Sequence, residues 1–76
     1  MMGGKLQAEI NAQMAVREAL EKEYGQVWDT KELSADFEVH AFLAPFVMVT
    51  RRSDNKRGTL TFQHSPRFYF SFIAED

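Results

Sequence analysis

The sequence predicts an α+β fold, because a helical half precedes a half made of short β-type segments. Up to residue 38 the chain is rich in Gln, Ala and Glu, with apolar residues at helical spacing. From Val39 onward it holds both prolines and six of the seven phenylalanines. Charge divides in the same way, since residues 1–38 carry four basic and eight acidic side chains, and residues 39–76 carry five and three. We therefore expect one α+β domain over residues 1–76, with a long helix packed on a three- or four-stranded antiparallel meander.

The first element is a helix over about residues 5–24. This stretch has no Pro or Gly and consists mainly of good helix formers. Gly25 follows at the position where helices commonly end in a left-handed residue. Residues 1–4, which include Gly3 and Gly4, are expected to be mobile.

Two stripes run along this helix. Large side chains form the first, at Leu6, Ile10, Leu20 and Tyr24, with Met14 and Val16 beside them. Small side chains form the second, at Ala8, Ala12, Ala15 and Ala19, which we call the alanine stripe. Either the alanine stripe is neutral surface, or it is a helix–helix seam between subunits. It is the candidate face for an oligomer or another protein partner.

A short second helix is expected over about residues 30–35. Val27 and Trp28 form an apolar connector before it, and Asp29 with Glu32 has the spacing of a capping box. Leu33 is expected to point inward.

Four β segments follow, at residues 37–43, 46–52, 59–63 and 67–73. Pro45 and Pro66 interrupt the run, and the polar residues 53–56 predict a hairpin turn. Alternation assigns one sheet face to the long helix: Phe46, Met48, Leu60, Phe62, Phe68, Phe70 and Phe72. The opposite face is half apolar, which is more than a solvated face should be: Val47, Val49, Thr59, Thr61, Tyr69, Ser71 and Ile73.

No catalytic or metal-binding pattern stands out in the chain. His64 and Ser65 are adjacent, so their side chains diverge and do not form a nucleophile–base pair. His40 and Glu38 offer two metal ligands on one strand, but no third is visible. The isolated glycines form no phosphate-binding loop. We expect a non-enzymatic protein without cofactor or metal.

Five basic residues form the one cluster that suggests a ligand: Arg51, Arg52, Lys56, Arg57 and Arg67. A basic β-hairpin with aromatic neighbours can bind nucleic acid through phosphate contacts and base stacking. Such residues also simply solubilise a hairpin tip. The net charge of −2 and the sequence pI near 5.6 are unlike those of strong nucleic-acid binders, so this function is the alternative.

Five short segments of the last fifty residues stand out together: residues 28–30 (WDT), 37–39 (FEV), 44–47 (APFV), 58–60 (GTL) and 62–70 (FQHSPRFYF). In these segments the chain resembles small bacteriophage-encoded and metagenomic proteins to which no activity is assigned. The resemblance implies a phage or mobile-element context and no particular chemistry. The long helix lies outside it.

Size favours assembly as the function. A chain of 76 residues is marginally stable on its own, and without cysteine it has neither disulfides nor thiolate zinc sites. Self-association is the remaining aid to stability. No apolar run approaches the roughly 20 residues that span a bilayer, and no signal-peptide pattern is present, so a cytoplasmic location is expected. The leading prediction is an interaction module that forms a homodimer or higher oligomer, or binds another protein.

Overall fold

The computed structural model describes the backbone of residues 2–75 and the side chains of residues 11–75, and in it two helices flank one five-stranded sheet. The elements are α1 (Met2–Tyr24), β1 (Val27–Trp28), α2 (Thr30–Asp36), β2 (Phe37–Leu43), β3 (Phe46–Arg51), β4 (Lys56–Gln63) and β5 (Phe68–Ala74). All neighbouring strands are antiparallel, in the order β1-β5-β4-β3-β2. The α+β class and the antiparallel sheet are therefore confirmed. The strand count is five rather than three or four, because the expected connector Val27–Trp28 pairs with Phe70 and Tyr69.

Helix α1 ends in front of Gly25, as the sequence predicts, but it begins at Met2 rather than at about residue 5. Gly25 has φ +85°, and its N–H donates to the carbonyl of Glu21 at 3.0 Å, which is a left-handed helix cap. Of the four residues expected to be mobile, Met1 lies outside the described part, and residues 2–4 belong to the first turn of α1.

Helix α1 covers only the β1–β5 side of the sheet. Val16 and Leu20 pack against the buried cluster of Val27, Phe68 and Phe70. The ring of Tyr24 also stacks on that of Phe70, with centroids 4.4 Å apart. We call this surface of the sheet the α1 side. Over strands β2 to β4 it carries no helix.

The main core lies on the opposite surface, under the short helix α2. The capping box that the sequence predicts is present: Glu32 N–H donates to Asp29 Oδ1 at 2.7 Å, and Asp29 N–H donates to Glu32 Oε1 at 3.0 Å. It fixes the start of α2, so that Leu33 points into the sheet. The buried cluster consists of Trp28, Leu33, Phe37, Val47, Val49, Leu60, Phe62 and Tyr69. We call this surface the α2 side.

The two faces of β3 are the reverse of those the sequence predicts. Val47 and Val49 are 0 and 1 % exposed in the core, whereas Phe46 and Met48 are 45 and 41 % exposed on the α1 side. The pairing of Val47 with Leu60 fixes this, because residues directly opposite each other in a sheet share a face. The expectation that Phe46 and Met48 join the core was wrong.

A β-bulge also divides the phenylalanines of β5. Thr59 pairs with Ile73 and Thr61 with Phe70, so two residues of β5 lie opposite one residue of β4. Within the bulge Ser71 has φ +59°. The extra residue moves Phe72 to the α2 side, so its expected grouping with Phe68 and Phe70 was wrong.

Tyr69 is likewise on the α2 side rather than on the outer face. It pairs with Phe62 and is only 2 % exposed. A second register shift, between Val39 and Ala41 in β2, places Phe42 opposite Val47 and therefore also on the α2 side.

Candidate interaction surfaces

An apolar surface on the α1 side, next to the helix, is left uncovered. Two rows of cross-strand neighbours form it, one from Leu43 through Phe46 to Thr61 and one from Ala41 through Met48 and Thr59 to Ile73. We call these seven residues the open β face. Leu43 and Ile73 are 68 and 66 % exposed. The first row continues into Phe70, which α1 does bury, so the helix covers one part of a larger apolar surface and leaves the rest to water.

The alanine stripe is exposed wherever its side chains are described. Ala12, Ala15 and Ala19 lie at the surface, and Ala8 lies outside the described side chains. Val16 and Leu20 face the sheet instead. The three described alanines thus lie on a flank of α1 and belong to neither apolar cluster.

Arg17 joins the two helices. Its Nη1 lies 2.8 Å from Glu32 Oε1 and 3.9 Å from Asp29 Oδ2, and its Nη2 donates to the carbonyl of Val27 at 2.9 Å. A fourth contact runs to Glu21, one turn along α1, at 3.6 Å. The hydrogen bond from Arg17 holds the pKa of Glu32 below its usual value, with a further contribution from the backbone N–H of Asp29.

This network predicts a pH dependence of stability. Because the pKa of Glu32 is lowered by folding, its contribution is complete above the unfolded value of about 4.5 and is lost as the pH falls through the lower folded value. We expect Glu32→Gln to lower the free energy of unfolding by about 0.5 kcal/mol near neutral pH, since the pair is half-exposed and screened. Urea denaturation measures the free energy of unfolding at each pH. Between about pH 5.5 and pH 3.5 this free energy should fall less in the variant than in the wild type.

Glu18→Gln is the matched control, because Glu18 is exposed on α1 and the described residues include no ion-pair partner for it. An acid-induced loss that Glu32→Gln leaves unchanged would contradict this role of the Arg17–Glu32 pair.

The five basic residues of the predicted cluster do not share one surface. Arg51, Arg52 and Lys56 lie around the β3–β4 turn. Arg57 pairs with Thr50, whose hydroxyl bonds His40 Nε2 at 2.7 Å, and it lies on the α1 side. Arg67 stands at the far end of β4, about 25 Å away for a strand of eight residues.

Arg67 is engaged with aromatic side chains at that far end. Its guanidinium lies 4.9 Å from the Phe62 ring centroid and 5.9 Å from that of Phe42. Nη1 donates to the hydroxyl of Tyr69 at 3.3 Å, and Nη2 contacts His64 Nδ1 at 2.9 Å. The Nε of Arg67 is buried without a hydrogen-bond partner. These contacts give Arg67 a structural role in closing the end of the core.

Arg51 and Arg52 instead line a cleft between α2, β1 and the β3–β4 turn. Its volume is about 540 Å3, and its other walls are Gln26, Trp28, Ala35, Asp36, Phe37, Ser53 and Phe72. Trp28 Nε1 donates to Asp36 Oδ2 at 2.9 Å. We call this the Trp28 cleft. No spacing along the chain signals this cleft, because its walls come from five separate elements, β1, α2, β2, β3 and β5, and from the connections beside them.

Each arginine of the Trp28 cleft is held by a defined partner. Arg51 donates from Nε and Nη2 to the two carboxylate oxygens of Asp54, at 3.1 and 2.6 Å, and this pairing lowers the pKa of Asp54. Arg51 also lies over the ring of Phe72, 4.8 Å from its centroid. Arg52 donates from Nε to the carbonyl of Ser34 at 3.2 Å, near the carboxyl end of α2.

The comparisons with known proteins place the chain in no family. No protein-family model, no curated protein and no solved structure matches it. Among the side chains that the structure describes, those of residues 11–75, no three His, Asp or Glu are grouped so that they could hold a metal ion. Neither helix, over the same residues, is long and apolar enough to cross a membrane.

Proposed function

We propose that the protein is a non-enzymatic interaction module whose open β face binds a second copy of the chain. The observation that carries this proposal is the apolar character of that face, where Leu43 of β2, Met48 of β3 and Ile73 of β5 are all exposed. Contiguous exposed apolar surface is typical of interaction sites. A domain of this size also buries a small fraction of its surface alone, so self-association supplies burial that the single chain lacks.

The charges around the open β face favour an identical partner. Glu38 pairs with Thr50, which pairs with Arg57, so an acid and a base stand on either side of β3 at one end of the face. A twofold axis parallel to β3 brings Glu38 of each copy opposite Arg57 of the other. Met48 then meets its own counterpart near the axis. The centre of the face carries no charge, so this arrangement buries no unpaired ion.

Helix α1 has a defined place in such a dimer. It occupies the layer above β1 and β5, and the second sheet occupies the same layer above β2 to β4. The edge strand β2 of the second copy then runs beside α1. The alanine stripe, exposed at Ala12, Ala15 and Ala19, is the flank that allows a close approach to this edge.

The test is the solution mass measured by light scattering during size-exclusion chromatography. We expect twice the chain mass of 8.8 kDa for the wild type, with little dependence on salt. Phe46→Glu, on the open β face, should give the monomer because it places a carboxylate in the apolar centre. Phe42→Glu is the matched control, since Phe42 is 53 % exposed but lies on the α2 side.

Two further variants test the geometry of the dimer. Glu38→Arg should weaken association, and adding Arg57→Glu should restore it, because the pair is exchanged as a whole. Ala12→Glu with Ala15→Glu should also weaken it if the alanine stripe adjoins the edge strand. A wild type that stays monomeric, or a Phe42→Glu variant as disruptive as Phe46→Glu, would overturn the proposal.

The resemblance to phage-encoded proteins supports the further proposal that this is a small assembly protein of a phage or mobile element. The alternative function, nucleic-acid binding, loses support because the five basic residues do not share one surface. Its best support is the Trp28 cleft, where Arg51 and Arg52 converge with aromatic side chains.

A further inference from the structure

We propose that the Trp28 cleft binds a nucleotide unit, with the base against Arg51 and Asp36 and the phosphate on Arg52. The cleft lies on the α2 side of the sheet, away from the open β face. The inference therefore goes beyond self-association and does not depend on it.

Some hydrogen-bonding groups of Asp36 and Arg52 in the cleft already have partners within the protein, and the groups that have none indicate which ligand would fit. Trp28 Nε1 donates to Oδ2 of Asp36, and no donor reaches Oδ1 among the side chains of residues 11–75. Arg52 Nε donates to the carbonyl of Ser34, and neither Nη group of Arg52 has an acceptor within that same described part of the chain. The free end of a guanidinium binds a phosphate through two parallel hydrogen bonds. The free carboxylate oxygen accepts an N–H from a base.

Arg51 supplies a stacking surface of fixed orientation. Asp54 holds its guanidinium through two hydrogen bonds, and the ring of Phe72 supports it from one side. Guanidinium planes stack on bases in nucleic-acid complexes, so the free side of Arg51 is suited to a base. Because the position is set before binding, little side-chain entropy is lost when the ligand arrives.

The chemistry of the walls decides between ligand classes. A volume of about 540 Å3 is within the range of small-molecule sites. A neutral sugar would leave Arg52 without an anion, and an aliphatic acid would leave the stacking surface of Arg51 and the carboxylate of Asp36 unused. A nucleotide combines an anion, a planar ring and an N–H donor. Bases with an amino group, such as cytosine, should bind better than uracil, which presents a carbonyl at the same position.

Trp28 provides the measurement, because it is the one tryptophan in the chain and lines the cleft. Its indole N–H gives a single cross-peak in a 15N-correlated NMR spectrum, and the peak reports on the hydrogen bond to Asp36. We expect CMP to shift this peak with saturation at about millimolar concentration, UMP to bind about tenfold more weakly, and inorganic phosphate to bind more weakly still.

Two variants that each remove one positive charge distinguish binding in the cleft from general attraction of the anion to the protein surface. Arg52→Gln should weaken CMP binding about tenfold, whereas Arg57→Gln, on the other side of the sheet, should change it less than about twofold. Asp36→Asn keeps an oxygen for Trp28 and presents an amide donor to the base. It should therefore reverse the preference, so that UMP binds better than CMP.

A titration with short oligocytidylate distinguishes a free nucleotide from a unit of a single strand. Tighter binding of the oligomer with the same variant pattern assigns the cleft to single-stranded nucleic acid, and equal binding assigns it to the free nucleotide. If Arg52→Gln disturbs the end of α2, the reversal in Asp36→Asn still tests the site. Equal losses in Arg52→Gln and Arg57→Gln, or no saturable shift with CMP and the oligomer, would overturn the proposal.

Discussion

Val47→Asp is expected to unfold the chain, whereas Met48→Asp is expected to leave it folded. Val47 has no exposed surface and packs under α2, so a carboxylate there would be buried without a partner. That costs several kcal/mol, against a total stability of order 5 kcal/mol for a domain of this size. Met48 is 41 % exposed on the open β face of the single chain, so the same group at this position reaches water in a folded monomer, although it should dissociate the proposed dimer.

Far-UV circular dichroism and urea denaturation distinguish the two variants. We expect the wild-type spectrum and a cooperative transition for Met48→Asp, and an unfolded spectrum in water for Val47→Asp. The opposite result would mean that β3 presents Phe46 and Met48 to the core, as alternation alone predicts. Val47→Ala is a milder version, for which we expect a loss of about 1–3 kcal/mol from the transferred surface and the cavity.

The strands were predictable from the sequence, but their faces were not, and β3 shows why. Alternation identifies a face only where apolar and polar residues alternate, and residues 46–49 are all apolar. Phe46 and Met48 were grouped with Leu60, Phe62 and the phenylalanines of β5 as one apolar face, and the long helix was expected to lie on that face. In the structure the short helix α2 covers the core instead, and the compact valines lie beneath it.

Bulges and one very short strand account for the other differences. A bulge at Ser71 reverses the alternation of β5, and no residue type signals it, because the positive φ belongs to a serine rather than a glycine. Strand β1 has two residues, too few for any periodicity, and it forms because Val27 and Trp28 meet the edge of β5. By contrast, the capping box and Gly25 were predicted, because both act over a few neighbouring residues.

The candidate sites show the same limit of local reasoning. The basic residues are close in sequence, but β4 runs between Arg57 and Arg67 and carries them to opposite ends of the sheet. The Trp28 cleft arises only when the end of α2 meets the β3–β4 turn, where Arg52 N–H donates to the carbonyl of Asp36 at 2.9 Å. A half-apolar outer surface was expected from the sequence. The open β face has that character, but it shares only Thr59, Thr61 and Ile73 with the expected set.

Gly58→Ala is expected to destabilise the protein by about 1–3 kcal/mol through overpacking, although glycine within a strand is ordinarily less favourable than alanine. A Cβ at Gly58 would clash with the carbonyl oxygen of Ile73 and lie 2.6 Å from Cε1 of Phe72. The first neighbour is backbone, so it yields only if β5 moves away from β4. The ring of Phe72 cannot move freely either, because it packs on Phe37 on one side and carries the guanidinium of Arg51.

Gly25→Ala is the control that separates packing from backbone freedom. Gly25 has φ +85° but nothing within 4 Å of the added carbon, so we expect a loss of about 1 kcal/mol from the left-handed conformation alone. Thermal unfolding should rank Gly58→Ala as the less stable variant, and equal midpoints would contradict the close approach of β4 and β5. The change should also reach the Trp28 cleft, because a displaced Phe72 moves Phe37, whose ring meets that of Trp28 edge to face at 5.1 Å. A shift of the Trp28 indole cross-peak in Gly58→Ala, absent in Gly25→Ala, would show that the packing of β5 sets the geometry of the cleft.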